Sequence, residues 1–169
     1  MYKKTQSSLE FLMIFGIGFT IILILSGIFF TYFNEEKDTL DSKHIENIGN
    51  EITKNVEKIY FLGTGNRITI NTNFPDGIEN ITIVHKNNVN VGGELISYDY
   101  LNVTYIIKKS VETQMFETKE NYIRFNCSQC THNTITNVSY FEDPSYFSGG
   151  NKKIRVESKG DFVEISFVR

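Results

Sequence analysis

The hydrophobic pattern of the chain changes twice. From Phe11 to Phe33 the run FLMIFGIGFTIILILSGIFFTYF holds no charged residue over 23 positions. A helix rises ~1.5 Å per residue, so this run reaches roughly 34 Å. That is enough to cross a bilayer's hydrocarbon core of ~30 Å. An ordinary secretory apolar region is only ~7–15 residues long. The flank Asn34-Glu35-Glu36-Lys37-Asp38 also lacks the small-x-small pattern of a cleaved signal. The run therefore predicts a retained membrane helix over 11–33.

After the run the apolar positions thin to a stripe. Ile45, Ile48, Ile52, Val56 and Ile59 step by 3, 4, 4 and 3. At ~100° per residue they fall within about 80° of one another, the mark of an amphipathic helix. Glu46, Asn47, Asn50, Glu51, Lys54, Asn55 and Lys58 occupy the other faces. The stripe predicts a helix lying on its own domain; a contact with a partner subunit is the alternative. Gly63-Thr64-Gly65-Asn66 stops the pattern, as glycine just past a periodic run does. If both parts are continuous, the helix spans Gln6 to Leu62.

From Arg67 the period becomes two. Ile68 and Ile70 alternate with polar residues, as do Ile81 and Ile83, then Val103, Tyr105 and Ile107. Ile123 and Phe125, Ile154 and Val156, and Val163, Ile165 and Phe167 repeat the alternation. Turn signals lie at Pro75-Asp76-Gly77, Asn87-Asn88, Gly92-Gly93, 148–151 and Lys159-Gly160-Asp161. Such spacing predicts an antiparallel sheet or sandwich, with a final hairpin pairing Lys153–Ser158 with Asp161–Val168. The fold class expected is α+β: a leader (1–5), a long helix (6–62) and a β-rich head (63–169).

Charge then sets orientation. Lys3 and Lys4 precede the apolar run and an acidic cluster follows it. Basic flanks stay on the cytoplasmic side, which places the head outside. The formal net charge of −3 comes with no basic patch, so nucleic acid is not an expected partner.

Candidate chemistry in the head is sparse. Cys127 and Cys130 stand in Cys-Ser-Gln-Cys. In a cytosolic protein this spacing suggests redox chemistry or half a zinc site; outside the membrane a local disulfide is favoured, stiffening one turn. With His132 the pair offers three ligands, but a structural zinc site needs a fourth. His44, His85 and His132 are far apart in sequence, the carboxylates read as solvated strand faces, and no Gly-x-Ser-x-Gly turn is present. No enzyme, metal or cofactor is expected. Asn80, Asn102, Asn126 and Asn137 each begin an Asn-x-Ser/Thr sequon and are candidate glycosylation sites.

The most informative segment is Lys3-Lys4-Thr5-Gln6-Ser7-Ser8-Leu9-Glu10-Phe11. A carboxylate at the edge of a membrane span is costly and is usually functional or paired; alternatively Glu10 lies at headgroup level. Lys-Lys-x-Gln-x-Ser-x-Glu-Phe resembles the class III signal peptide of archaeal type IV pilin-like proteins. The resemblance covers residues 3–33. It implies cleavage by a prepilin peptidase on the cytoplasmic side, between Thr5 and Gln6. Lys3, Lys4, Gln6, Ser8, Glu10 and Phe11 would then form the recognition motif. The family usually carries Gly where this chain has Thr5. Glu10 becomes the fifth mature residue, which in pilins meets the N-terminal amine of a neighbouring subunit. Breaking such a pair leaves an uncompensated charge, so it sets register; cyclisation of Gln6 would remove the amine.

Gly16, Gly18, Ser26 and Gly27 are small residues that allow membrane helices to approach closely. The resemblance implies a structural subunit of a surface filament, a single-pass membrane precursor whose partners are the membrane, other pilin subunits, the peptidase and the assembly machinery. The alternatives are a minor pilin or anchored adhesion protein that does not polymerise, and a membrane-anchored hydrolase.

Overall fold

The computed structural model describes residues 2–91, 94–107, 110–118 and 123–168; for 2–9, 35, 88, 89, 91 and 94–96 it describes the backbone alone. The fold is α+β. Helix α1 runs Tyr2–Leu62 and is followed, among the described residues, by nine strands. The chain forms two compact units, residues 1–40 and 41–169.

In the first unit every side chain described from Glu10 to Phe33 is exposed, apart from partly covered Gly18. The segment is long and apolar enough to cross a membrane, with a mean hydropathy of 2.6 over its best window. Its two threonine hydroxyls are satisfied internally. Thr20 Oγ1 donates to Gly16 O at 2.8 Å and Thr31 Oγ1 to Gly27 O at 3.0 Å. An unsatisfied hydroxyl in hydrocarbon would cost several kcal/mol (of order ~4–8 against an alkane), so bonding back one turn suits an apolar solvent.

The second unit begins at Asp41 and not at Gly63, because the apolar stripe belongs to its core. Ile45, Ile48, Ile52, Val56 and Ile59 are each no more than 4% exposed. Gly49 makes the close approach: a Cβ there would sit 2.4 Å from the Phe116 ring. The helix ends at Gly63 in the left-handed region, φ 83°, and the Asn66 side-chain amide caps it by donating to Leu62 O at 2.7 Å.

The strands are β1 (Arg67–Phe74), β2 (Ile78–Val91), β3 (Glu94–Ile107), β4 (Ser110–Glu117), β5 (Phe125–Cys127), β6 (Cys130–Asn133), β7 (Val138–Phe141), β8 (Gly150–Ser158) and β9 (Val163–Val168). They form a four-stranded sheet ordered β1-β8-β9-β5 and a five-stranded sheet ordered β4-β3-β2-β7-β6. The inward residues of both sheets and the helical stripe share one core. Phe167 is its aromatic hub, stacked on Tyr146 at 4.8 Å and edge-on to Phe141 at 5.0 Å and Phe74 at 6.0 Å.

The final hairpin pairs as its alternation dictates, with Ser158 opposite Val163. Two local expectations differ and one is untested. Asn87-Asn88 lies inside β2, at a register shift between Lys86 and Val89; the β3 ladder absorbs the asparagines as a bulge. The turn expected at Gly92-Gly93 lies outside the described residues. The sheets are not wholly antiparallel, because β5 runs parallel to β9, Phe125 opposite Val163. Gln129 extends that ladder with its side chain: Nε2 donates to Phe167 O at 2.9 Å and Oε1 accepts from Phe167 N at 2.7 Å.

Candidate functional site

Residues 3–8 of the membrane-proximal motif lie on α1, where the structure describes the backbone alone, so the side chains of Lys3, Lys4, Thr5, Gln6 and Ser8 fall outside the described residues. Glu10 and Phe11 are exposed. Phe11 stacks on Phe15 one turn later, ring centroids 6.5 Å apart. Gly16 and Gly27 are 11 residues apart; at ~100° per residue they fall within about 20° on the helix. Gly18 lies on the opposite side.

Cys127 and Cys130 are disulfide-bonded, Cα atoms 5.5 Å apart. The bond does more than stiffen a turn. Cys127 ends β5 in one sheet and Cys130 begins β6 in the other, so the bridge fixes the point where the chain changes sheets. Neither sulfur is then a thiolate available beside His132. Among the described residues no three His, Cys, Asp or Glu side chains gather to hold a metal.

The sequons fall in different settings. Asn80 and Asn102 lie in neighbouring strands, with Asn80 opposite Thr104 and Thr82 opposite Asn102. The Asn80 Oδ1 is buried and has no hydrogen-bond partner among the described residues. Asn126 is exposed on edge strand β5, its Oδ1 accepting from Cys127 N at 2.8 Å. Asn137 has φ 55° and its Nδ2 donates to His85 O at 2.6 Å.

The head also contains a polar cluster that no sequence motif announces. Asp99 is 1% exposed, which corrects the reading of the carboxylates as solvated faces. It sits on β3 directly opposite His85 on β2. His85 Nδ1 is 2.8 Å from Asp99 Oδ1. Asp99 Oδ2 accepts from Phe125 N at 2.8 Å and lies 3.5 Å from Arg124 Nε. His85 Nε2 lies 3.0 Å from Ser139 Oγ on β7, and that oxygen lies 3.0 Å from His132 Nδ1 on β6. The two imidazoles, distant in sequence, meet with ring centroids 5.4 Å apart.

The order Asp99–His85–Ser139 is that of a hydrolase triad, yet the setting is not. Ser139 is 1% exposed, lies within a paired strand and shares its hydroxyl with a second imidazole. The adjoining cleft, about 230 Å³, is lined by His85, Asp99, Arg124, Asn126, Asp161 and Phe162 and does not include Ser139. The cluster ties β3, β2, β7, β6 and the start of β5 together. Its one sequence signal is that His85 and Asp99 continue the inward period-two positions of Ile83 and Leu101.

Compared with known family models, curated proteins and solved structures, the chain matches none.

Proposed function

We propose that this chain is a structural subunit of a type IV pilus-like surface filament, made as a membrane precursor and cut before Gln6. The observation that carries the reading is the motif Lys3-Lys4-Thr5-Gln6-Ser7-Ser8-Leu9-Glu10-Phe11 standing directly against a charge-free helix of membrane length. That helix keeps its apolar side chains exposed on all sides, as suits a segment surrounded first by lipid and later by copies of itself. Gly16 and Gly27 give it one flank narrow enough for close approach. The head faces outward and carries the candidate glycosylation sites.

The decisive measurement is the mature N-terminus, by mass spectrometry of the cell-surface fraction. A start at Gln6 supports pilin-type processing. An intact Met1 favours the alternative, an anchored surface protein that does not polymerise. A start beyond Phe33 means a released protein and overturns both. Glu10→Ala is expected to insert in the membrane normally and to be lost from sheared filaments. Wild-type filament yield from that variant rules out the register role of Glu10.

A further inference from the structure

The buried cluster of the head has a hydrogen-bond logic of its own, independent of filament assembly. Among the described residues Asp99 Oδ2 faces two fixed donors, the Phe125 amide at 2.8 Å and the cationic Arg124 guanidinium at 3.5 Å, and Oδ1 faces His85 Nδ1 at 2.8 Å. Two fixed donors, one of them cationic, suit the carboxylate form of Asp99, and a His85 Nδ1 facing that carboxylate carries hydrogen. His85 Nε2 therefore meets Ser139 Oγ with either a lone pair or a second hydrogen.

Ser139 has one hydrogen and two imidazoles to serve, each at 3.0 Å. When both histidines are neutral, His132 Nδ1–H donates to Ser139, and Ser139 donates to His85 Nε2. Every polar atom is satisfied. When His85 is cationic the chain runs backwards: His85 Nε2–H donates to Ser139, and Ser139 donates to a bare His132 Nδ1. Every atom is satisfied again. With two extra protons both imidazoles donate, the serine hydrogen has no acceptor, and two cations face each other 5.4 Å apart.

The geometry points to a one-proton relay from the surface to the interior of the head. His132 is exposed, whereas the His85 side chain is 9% exposed. A proton from solvent binds His132 Nε2. The His132 Nδ1 proton passes to Ser139 Oγ, and the Ser139 proton passes to His85 Nε2, so one proton enters and one is stored. His85 becomes cationic beside Asp99, and His132 ends neutral with its hydrogen moved from Nδ1 to Nε2. The other charged groups around the chain are Arg124 and Asp161, which line the cleft beside His85, and Glu142, which accepts a hydrogen bond from Thr131 next to His132. A second proton costs the Ser139 hydroxyl its acceptor in the chain of bonds, while β6 stays paired with β7 from Cys130 to Asn133. The disulfide still holds it at Cys130.

The test is nitrogen NMR of isotope-labelled histidines in the full-length chain in detergent micelles, from about pH 9 to about pH 4, a range that brackets imidazole titration. The expected result is a tautomer crossover. His132 Nδ1 loses its hydrogen, and Nε2 gains one, at the same midpoint at which His85 Nε2 becomes protonated, as coupled sites must. A His132 that keeps one tautomer throughout the His85 titration, or that becomes cationic before His85 does, overturns the relay. Ser139→Ala is expected to abolish the crossover and separate the two midpoints. If the crossover persists in that variant, Ser139 is not the carrier. Should Ser139→Ala not fold, the wild-type crossover alone decides.

Discussion

Helix α1 handles apolar side chains in two ways within one element. Up to Phe33 its described apolar residues are exposed on every face, Leu23 at 57% and Phe30 at 69%. Between Ile45 and Ile59 the apolar residues keep to one stripe, and Val56 is 0% exposed. The first arrangement is stable only where the surroundings are themselves apolar. The second supplies its own apolar surroundings from the inward faces of the sheets. Periodicity thus reports the solvent a helix is built for: none where lipid or copies of itself surround it, 3.6 where one side meets a core.

The comparison can be broken most severely at its two extremes. Val56→Asp buries an unpaired carboxylate in the head core and is expected to cost about 4 kcal/mol or more. Circular dichroism melting and protease sensitivity of residues 41–169 measure the loss. Leu23→Ala, in the other half of the same helix, is expected to leave head melting within about 0.5 kcal/mol of wild type. Comparable losses from both would mean that the two halves do not differ as described.

The Gly49–Phe116 contact sharpens the picture next. Alanine is the better helix former, so in the span a Gly→Ala change adds stability. At Gly49 the added methyl meets the Phe116 ring 2.4 Å away. The clash should outweigh the gain and cost roughly 1–3 kcal/mol, read from chemical denaturation. A stabilised Gly49→Ala head would show that the Phe116 ring moves aside freely. Removing the disulfide by Cys127→Ser with Cys130→Ser is expected to cost about 2 kcal/mol by the chain-entropy argument for so short a loop. No loss would mean that the hydrogen bonds between Gln129 and Phe167 hold the crossover without it.

The smallest effect belongs to the solvent-exposed charges of the β8–β9 turn. Lys159 Nζ bonds Glu157 at 2.8 Å and Glu164 at 3.2 Å. The bond from Lys159 holds the Glu157 carboxyl below the usual glutamate value. The bonds to Glu157 and Glu164 hold Lys159 above the usual lysine value. The Glu157 contribution is present above the unfolded carboxyl's pKa and is lost as pH falls through the lowered one. The Lys159 contribution is present below the unfolded amine's pKa and is lost as pH rises through the raised one. Lys159→Met is therefore expected to lower the melting point slightly at neutral pH. The difference from wild type should fade in acid, in alkali and at about 1 M salt, where the Debye length is ~3 Å.

The elements legible in the sequence are those whose own residues carry the pattern. The Ile45–Ile59 stripe, β1, β8 and β9 each repeat an apolar residue at the period of their structure, and a core receives them. Strand β7 escaped notice because its inward positions are Ser139 and Phe141; a polar residue facing the core breaks the alternation that reveals a strand. Strand β4 exposes Val111 at 62% and Met115 at 55%, so its apolar residues point both ways. Asn87-Asn88 has turn chemistry, but its neighbours keep pairing with β3 and override it. The polar cluster was least legible, since its partners lie on four strands and nothing local links Asp99 to His132. The N-terminal motif is the reverse case: it is read from the sequence alone, and from Lys3 to Leu9 the structure describes only its backbone.

The order of strands in the smaller sheet bears on how the head comes to exist. Strand β1 follows the helix almost at once, yet among the described residues it pairs with β8 alone, with Arg67 opposite Glu157 and Phe74 opposite Gly150. Strand β5 waits likewise for β9. A pairing that spans so much chain must bear its loop-closure entropy before any contact rewards it. Emerging from its N-terminus, the chain can form α1 and the β2–β3–β4 meander early, because their contacts are local. The smaller sheet cannot begin until the final hairpin has been released. Until then β1 has no strand to pair with, and the faces that the smaller sheet will cover stay open, so closing the core is a late event of synthesis.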